Sequence, residues 1–173
     1  MGVDYLVLGP HWVTLGNEHL YALEFTTKEQ LHKYIDQNIK GIQSGVYKFL
    51  AHPDLFMGAW KEWDNEAKAC LTALLEAAVD ANLPVEINGL GMTRTKIQTK
   101  NGIRFQYPYD EFWQMVADSK AKDLLSNPEC YEALKKFLRT KEIAIENCVD
   151  RRTSMMLVSL KPEPIPLDLK VLI

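Results

Sequence analysis

The residues most able to do chemistry in this chain are its histidines and the polar groups that follow short apolar runs. His11 comes directly after Gly9-Pro10, and His52 opens the run His52-Pro53-Asp54. Imidazole suits Zn, Mn or Fe and carboxylate suits hard or borderline ions, so His11, His52 and Asp54 read as candidate ligands of a divalent metal. The competing reading of each histidine is a loop residue that only hydrogen-bonds. Glu86 and Asn88 close a third apolar run. Glu86 reads as facing the interior or a salt bridge, with the structural role favoured. His19 and His32 read as surface residues, His32 lying between Leu31 and Lys33 on the polar side of its helix. Arg94, Lys96, Lys100 and Arg104 lie in one polar stretch that could meet a phosphate group, against the ordinary alternative of a solvated loop. No residue stands out as the catalytic one.

Cys70, Cys130 and Cys148 are odd in number and make no C-x-x-C pair, which excludes a disulfide framework. Cys70 and Cys130 fall within expected helices, where cysteine acts as a small buried hydrophobe. There is no G-x-x-x-x-G-K-[ST], no G-x-G-x-x-G and no G-x-S-x-G, so the phosphate loop, the dinucleotide fingerprint and the nucleophile elbow are absent.

The elements that must position these groups alternate. Asp4 to Leu8 reads as a short buried strand, and His19 to Phe25 as a second extended run. Thr26 and Glu29 match a capping box, and Leu31, Tyr34, Ile35, Ile39 and Ile42 follow at helical spacing up to Gly45. Val46 to Ala51 reads as a strand, Asp64 caps a helix through about Ala81, and Pro84 to Ile87 reads as another strand. Asn101-Gly102 signals a hairpin within Met92 to Tyr107, and Asp110 caps a short helix through about Ala117. After Lys122 the pattern changes: a helix after Asn127-Pro128, strands at Glu142 to Glu146 and Ser154 to Leu160, a proline-rich connector at Lys161 to Pro166, and a final apolar run from Leu167 to Ile173. Alternation of strand and helix favours an α/β architecture with parallel strands. His11, His52 and the Glu86/Asn88 pair then all sit at strand C-terminal ends, the edge that carries the active site in α/β barrels.

Composition narrows the classes further. The 173 residues are 47% hydrophobic and 25% charged, as expected of a globular chain. A net charge of −3 supplies no basic field, which argues against nucleic acid and anionic membrane as partners. Trp12, Phe56, Trp60, Trp63 and Trp113 accordingly read as core or pocket wall rather than base-stacking platforms. No apolar run reaches the ~18 residues of a membrane span, and Met1-Gly2-Val3-Asp4 opens no signal peptide. A cytoplasmic location is the default expectation.

Three stretches, Asp4 to Val13 with Gly9-Pro10-His11-Trp12, Phe49 to Phe56 with His52-Pro53-Asp54, and Pro84 to Gly89 with Glu86-Ile87-Asn88-Gly89, resemble the PHP (polymerase and histidinol phosphatase) family, its histidinol-phosphatase branch above all. The resemblance covers about residues 3–121. It implies a distorted (β/α)7 barrel with a metal centre at the strand C-termini that hydrolyses a small phosphomonoester such as histidinol phosphate. It implies His11 and His52 as metal ligands, Zn, Mn or Fe as the divalent ion, and Asn88 bordering the substrate pocket. Arg94 and Arg104 are the further candidates for substrate binding. The family's opening H-x-H pair, its bridging Glu and its closing Asp-x-His have no counterpart here; Asp123-Leu124-Leu125 stands where the last is expected.

Residues about 122–173 resemble a different family. Asp123 to Pro128, Leu134 to Arg139, Ile143 to Glu146 and Ser159 to Val171 look like part of the AAA+ module of a Lon-type ATP-dependent protease. This stretch brings neither the nucleotide-binding lysine motif nor a protease nucleophile. The expected fold is thus α/β: a partial distorted (β/α)7 PHP-type barrel over 1–121 with an appended α+β tail over 122–173. The leading expectation for function is a metal-dependent phosphoesterase. The alternatives are a non-catalytic fusion or remnant that associates with other chains through exposed strand edges, homo-oligomers included, and a fragment of a Lon-type protease.

Overall fold

The computed structural model describes residues 5–119 and the backbone of 123–126, 148–150 and 155–158. In chain order the first elements are β1 (Leu6–Leu8), β2 (Trp12–Leu15), β3 (Glu18–Tyr21), α1 (Lys28–Gln43), β4 (Tyr47–Leu50), α2 (Asn65–Asp80) and β5 (Val85–Asn88). They are followed by α3 (Leu90–Thr93), β6 (Ile97–Thr99), β7 (Gly102–Arg104), α4 (Asp110–Ala117), β8 (Asp123–Ser126), β9 (Cys148–Asp150) and β10 (Met155–Val158).

Local chemistry explains the two long helices. Thr27 caps α1: its side chain accepts the Gln30 N–H at 3.3 Å, and Gln30 Oε1 accepts the Thr27 N–H at 3.0 Å. The sequence holds two overlapping capping boxes, and the expected one, Thr26 with Glu29, lost by one residue. Gln30 decides it, because its amide oxygen also takes the Thr26 N–H at 2.8 Å. Asp64 caps α2 as expected, its Oδ1 accepting the Ala67 N–H at 2.8 Å and the Trp60 indole N–H at 3.1 Å. Leu31, Tyr34, Ile35 and Ile42 of α1 and Leu71, Leu74, Leu75 and Ala78 of α2 turn one stripe each into a shared core with Val85, Ile87, Phe112, Trp113 and Val116. Burying each large side chain there contributes about 1.5–3 kcal/mol.

The main sheet runs β1-β4-β5-β8-β10-β9. β1, β4, β5 and β8 are parallel, and β8, β10 and β9 pair antiparallel. β8 aligns Asp123 to Ser126 with Val85 to Asn88, so the sheet crosses the boundary expected at 121/122. Two hairpins stand apart from this sheet, β2–β3 and β6–β7. The first was not foreseen as a hairpin; Gly16, with φ +61°, turns it. The second was, with a one-residue shift: Thr99 pairs with Gly102, so Lys100-Asn101 form the loop and Gly102 takes φ +118°.

β1 corrects another expectation. Read as a buried strand, it has Leu6 and Val7 exposed, because it is the edge strand of the described sheet. The helix expected after Asn127-Pro128, the strand at 142–146, the connector at 161–166, the final apolar run and Cys130 lie outside the described residues.

Candidate functional site

The ends of β1, β4 and β5 converge on His11 and His52. Gly9 and Pro10 shape the first approach. A Cβ on Gly9 would lie 3.3 Å from His11 Cε1 and Nδ1, so the ring folds back over the glycine. The Tyr34 hydroxyl donates to the Pro10 carbonyl at 2.8 Å, tying the loop to α1. His52 follows β4 and holds a backbone φ of +30°, a region that β-carbon residues avoid. Such a conformation costs on the order of 1–3 kcal/mol and persists only where neighbours hold it. Glu86 of β5 is that neighbour: its Oε2 accepts the His52 N–H at 3.1 Å and the Asn88 Nδ2–H at 3.2 Å.

The two imidazoles are in contact, their ring centroids 4.6 Å apart and tilted by 57°. Tyr21 stacks on His11 at 6.3 Å, and Tyr107 lies 6.3 Å from His52. His52 is buried and its Nδ1 has no hydrogen-bond partner. Burial, then the adjacent His11, and to a lesser degree Arg94, push its pKa down to about 4. At neutral pH the ring is therefore uncharged, the form that ligates metals.

A buried, unpartnered and neutral imidazole nitrogen beside a second imidazole fits a divalent ion held by two histidines. The carboxylates do not join them. Among the described residues, no group of three metal-ligating side chains includes His11 or His52. Asp54, expected as a further ligand, is committed elsewhere. It is almost fully buried, and its Oδ2 accepts the Tyr109 N–H at 2.7 Å and the Trp113 indole N–H at 2.9 Å, fastening the loop after β4 to α4. Burial raises its pKa to about 6 despite those two bonds.

The expected substrate-binding residues part company. Arg94 is exposed and adds positive charge beside Tyr107 and His52. Asn88 borders the site, with Oδ1 accepting the Leu90 N–H at 2.8 Å and Nδ2 donating to Glu86, so it braces the β5 end. Arg104 has a different role from the expected one. Its Nη1 donates to the carbonyls of Phe105 and Gln106, and its Nη2 to those of Met57, Trp60 and Lys61, at 2.7–3.4 Å. With its guanidinium also 4.4 Å from the Tyr109 ring centroid, Arg104 clamps the β6–β7 hairpin to the loop before α2. Carbonyls distant in sequence took the Nη2 donors, which residue type alone does not reveal.

Tyr107 was missed as a wall of the site. The readable signal is Gly91: a Cβ there would lie 2.3 Å from the Tyr107 carbonyl oxygen, so only glycine admits this approach. His19 and His32 are exposed, as expected.

A family model described as LonB-like, AAA domain matches residues 119–173. The stretch expected to resemble a Lon-type AAA+ module lies within that match, which covers less than half of the chain. No curated protein matches the chain. Among the described residues, no helix is long and apolar enough to cross a membrane.

Proposed function

We propose that the chain joins two kinds of module, a Lon-type AAA segment in its C-terminal part and an α/β unit with a divalent-metal site before it. The family match over residues 119–173 supports the first. That stretch lacks a nucleotide-binding lysine motif and a protease nucleophile, so its role is structural or associative, as in a non-catalytic fusion. Pairing with a second copy of the chain through the exposed β1 edge fits this reading.

The chemistry belongs to the α/β unit, as a PHP-type phosphoesterase with a partial barrel. The observation that carries this is the contact between His11 and His52, brought together from separate strand ends. Both imidazoles would hold a Zn, Mn or Fe ion, which when bound supplies Lewis-acid polarisation of a phosphoryl oxygen. Arg94, beside Tyr107, would meet the phosphate of a small phosphomonoester, and Glu86 would keep His52 in its strained backbone conformation. The cytoplasm is the compartment proposed.

Metal analysis and hydrolysis of histidinol phosphate and p-nitrophenyl phosphate with added Mn²⁺ test this reading. One bound equivalent, with turnover, both lost in His52→Ala, supports it. Metal content and turnover unchanged in the His11→Ala/His52→Ala double variant sink it, leaving the AAA-segment reading alone.

A further inference from the structure

α1 packs against α2, and the seam between them collects three donor side chains outside the strand-end site. Glu66 and Cys70 are four residues apart on α2 and so share one face. His32 comes from α1. His32 Nε2 contacts Glu66 Oε1, and the Lys28 ammonium pairs with Glu66 Oε2 at 2.5 Å. One ligand atom from each of His32, Glu66 and Cys70 lies within 4.8 Å of the other two.

Imidazole nitrogen, carboxylate oxygen and thiolate sulfur together form a borderline-soft set, the chemistry that zinc prefers. With bonds of about 2.0–2.3 Å, tetrahedral ligand atoms sit roughly 3.3–3.6 Å apart. Only modest rotation of the outer side chains separates that arrangement from the one observed. The His32 side chain is 53% exposed, which opens the seam to an ion from solvent, while Cys70 forms its buried floor. Burial first, and then the Glu66, Asp64 and Asp36 carboxylates, push the Cys70 thiol up to about 11, so an ion entering the seam must displace the thiol proton. Lys28 competes for Glu66, but it is 66% exposed and free to withdraw.

We propose that His32, Glu66 and Cys70 form a zinc-class divalent-metal site that clips α1 to α2, with water in the fourth position. It draws on none of the residues of the strand-end site and does not depend on the function proposed for it. A thiolate ligand also separates the two sites spectroscopically.

The test uses the full chain carrying Cys130→Ser and Cys148→Ser, titrated with Co²⁺. One equivalent should bind with a thiolate-to-cobalt charge-transfer band, and Zn²⁺ should displace it and raise Tm. Cys70→Ser should abolish the band. His32→Ala, an exposed change that circular dichroism will check for folding, should weaken binding at least ~10-fold. His11→Ala/His52→Ala should leave the band intact. Absence of the band, its survival in Cys70→Ser, or unchanged affinity in His32→Ala would each overturn the proposal.

Discussion

The loop after β4 and the α1–α2 seam both gather ionisable groups, yet they hold them in opposite ways. Around His52 and Asp54 the groups are buried, their hydrogen bonds come largely from backbone and indole N–H groups, and one atom on each is left without a partner. At the seam Lys28, His32 and Glu66 satisfy one another in solvent, and that pairing, through the Lys28 bond first, keeps the Glu66 carboxyl below its usual range. Desolvation dominates the first region and pairing the second. The difference teaches that strand ends store polar groups at a cost, whereas helix surfaces hold them nearly free of one.

The largest break in this comparison should come from Asp54→Ala. It strips the acceptor from the Tyr109 N–H and the Trp113 indole, each left buried, and should cost about 2–5 kcal/mol in urea unfolding. Glu66→Ala at the seam, measured the same way, should barely move the midpoint.

Gly91→Ala comes next. Its Cβ must displace the Tyr107 backbone from 2.3 Å, an overpacking worth roughly 1–3 kcal/mol, and should also weaken phosphate-ester binding through Arg94. Unchanged stability would mean that α3 moves freely.

The pH dependence sharpens the contrast within the buried region. His52 is depressed to about 4, so between about pH 4 and 6.5 the unfolded chain binds the extra proton and stability rises with pH. Asp54 is raised to about 6, so between about pH 4 and 6 the folded chain binds the extra proton and stability falls with pH. In metal-free protein, with His11, Arg94 and Glu86 facing His52 and Arg104 near Asp54, the two slopes oppose each other. Asp54→Asn should expose the rise and His52→Gln the fall, each at most ~1.4 kcal/mol per pH unit. Equal slopes in both variants would contradict the assignment.

The smallest effect expected is at Lys28. Removing its ammonium in Lys28→Ala frees Glu66 and should tighten Co²⁺ binding roughly two- to fivefold, read from the same titration. Weaker binding would show that Lys28 supports the seam rather than competing in it.

Much of the α/β rhythm was legible because its signals are local. Asp64 as a helix cap, Asn101-Gly102 as a hairpin and the apolar runs at β4 and β5 depend on neighbours within four residues. The errors arose where several local options tie, as with the two capping boxes before α1, or where burial depends on sheet order, as at β1. At the site, His11 and His52 were readable as strand-end groups. The destinations of Asp54 and of the Arg104 Nη2 were not, because their partners lie 43 to 59 residues away.

The sequence by itself determined α1, α2, α4, β4 and β5 as elements, where α2 is capped, and which residues carry ligand chemistry. Only the tertiary structure decided that His11 touches His52, that Glu86 secures a strained His52 backbone, that Arg104 is consumed by carbonyls, and that His32 meets Glu66 and Cys70. The physical reason is range. Caps, turns and periodicity are settled by backbone sterics and nearby hydrogen bonds, whereas protonation and ligation depend on desolvation and on charges that only packing brings within a few ångströms.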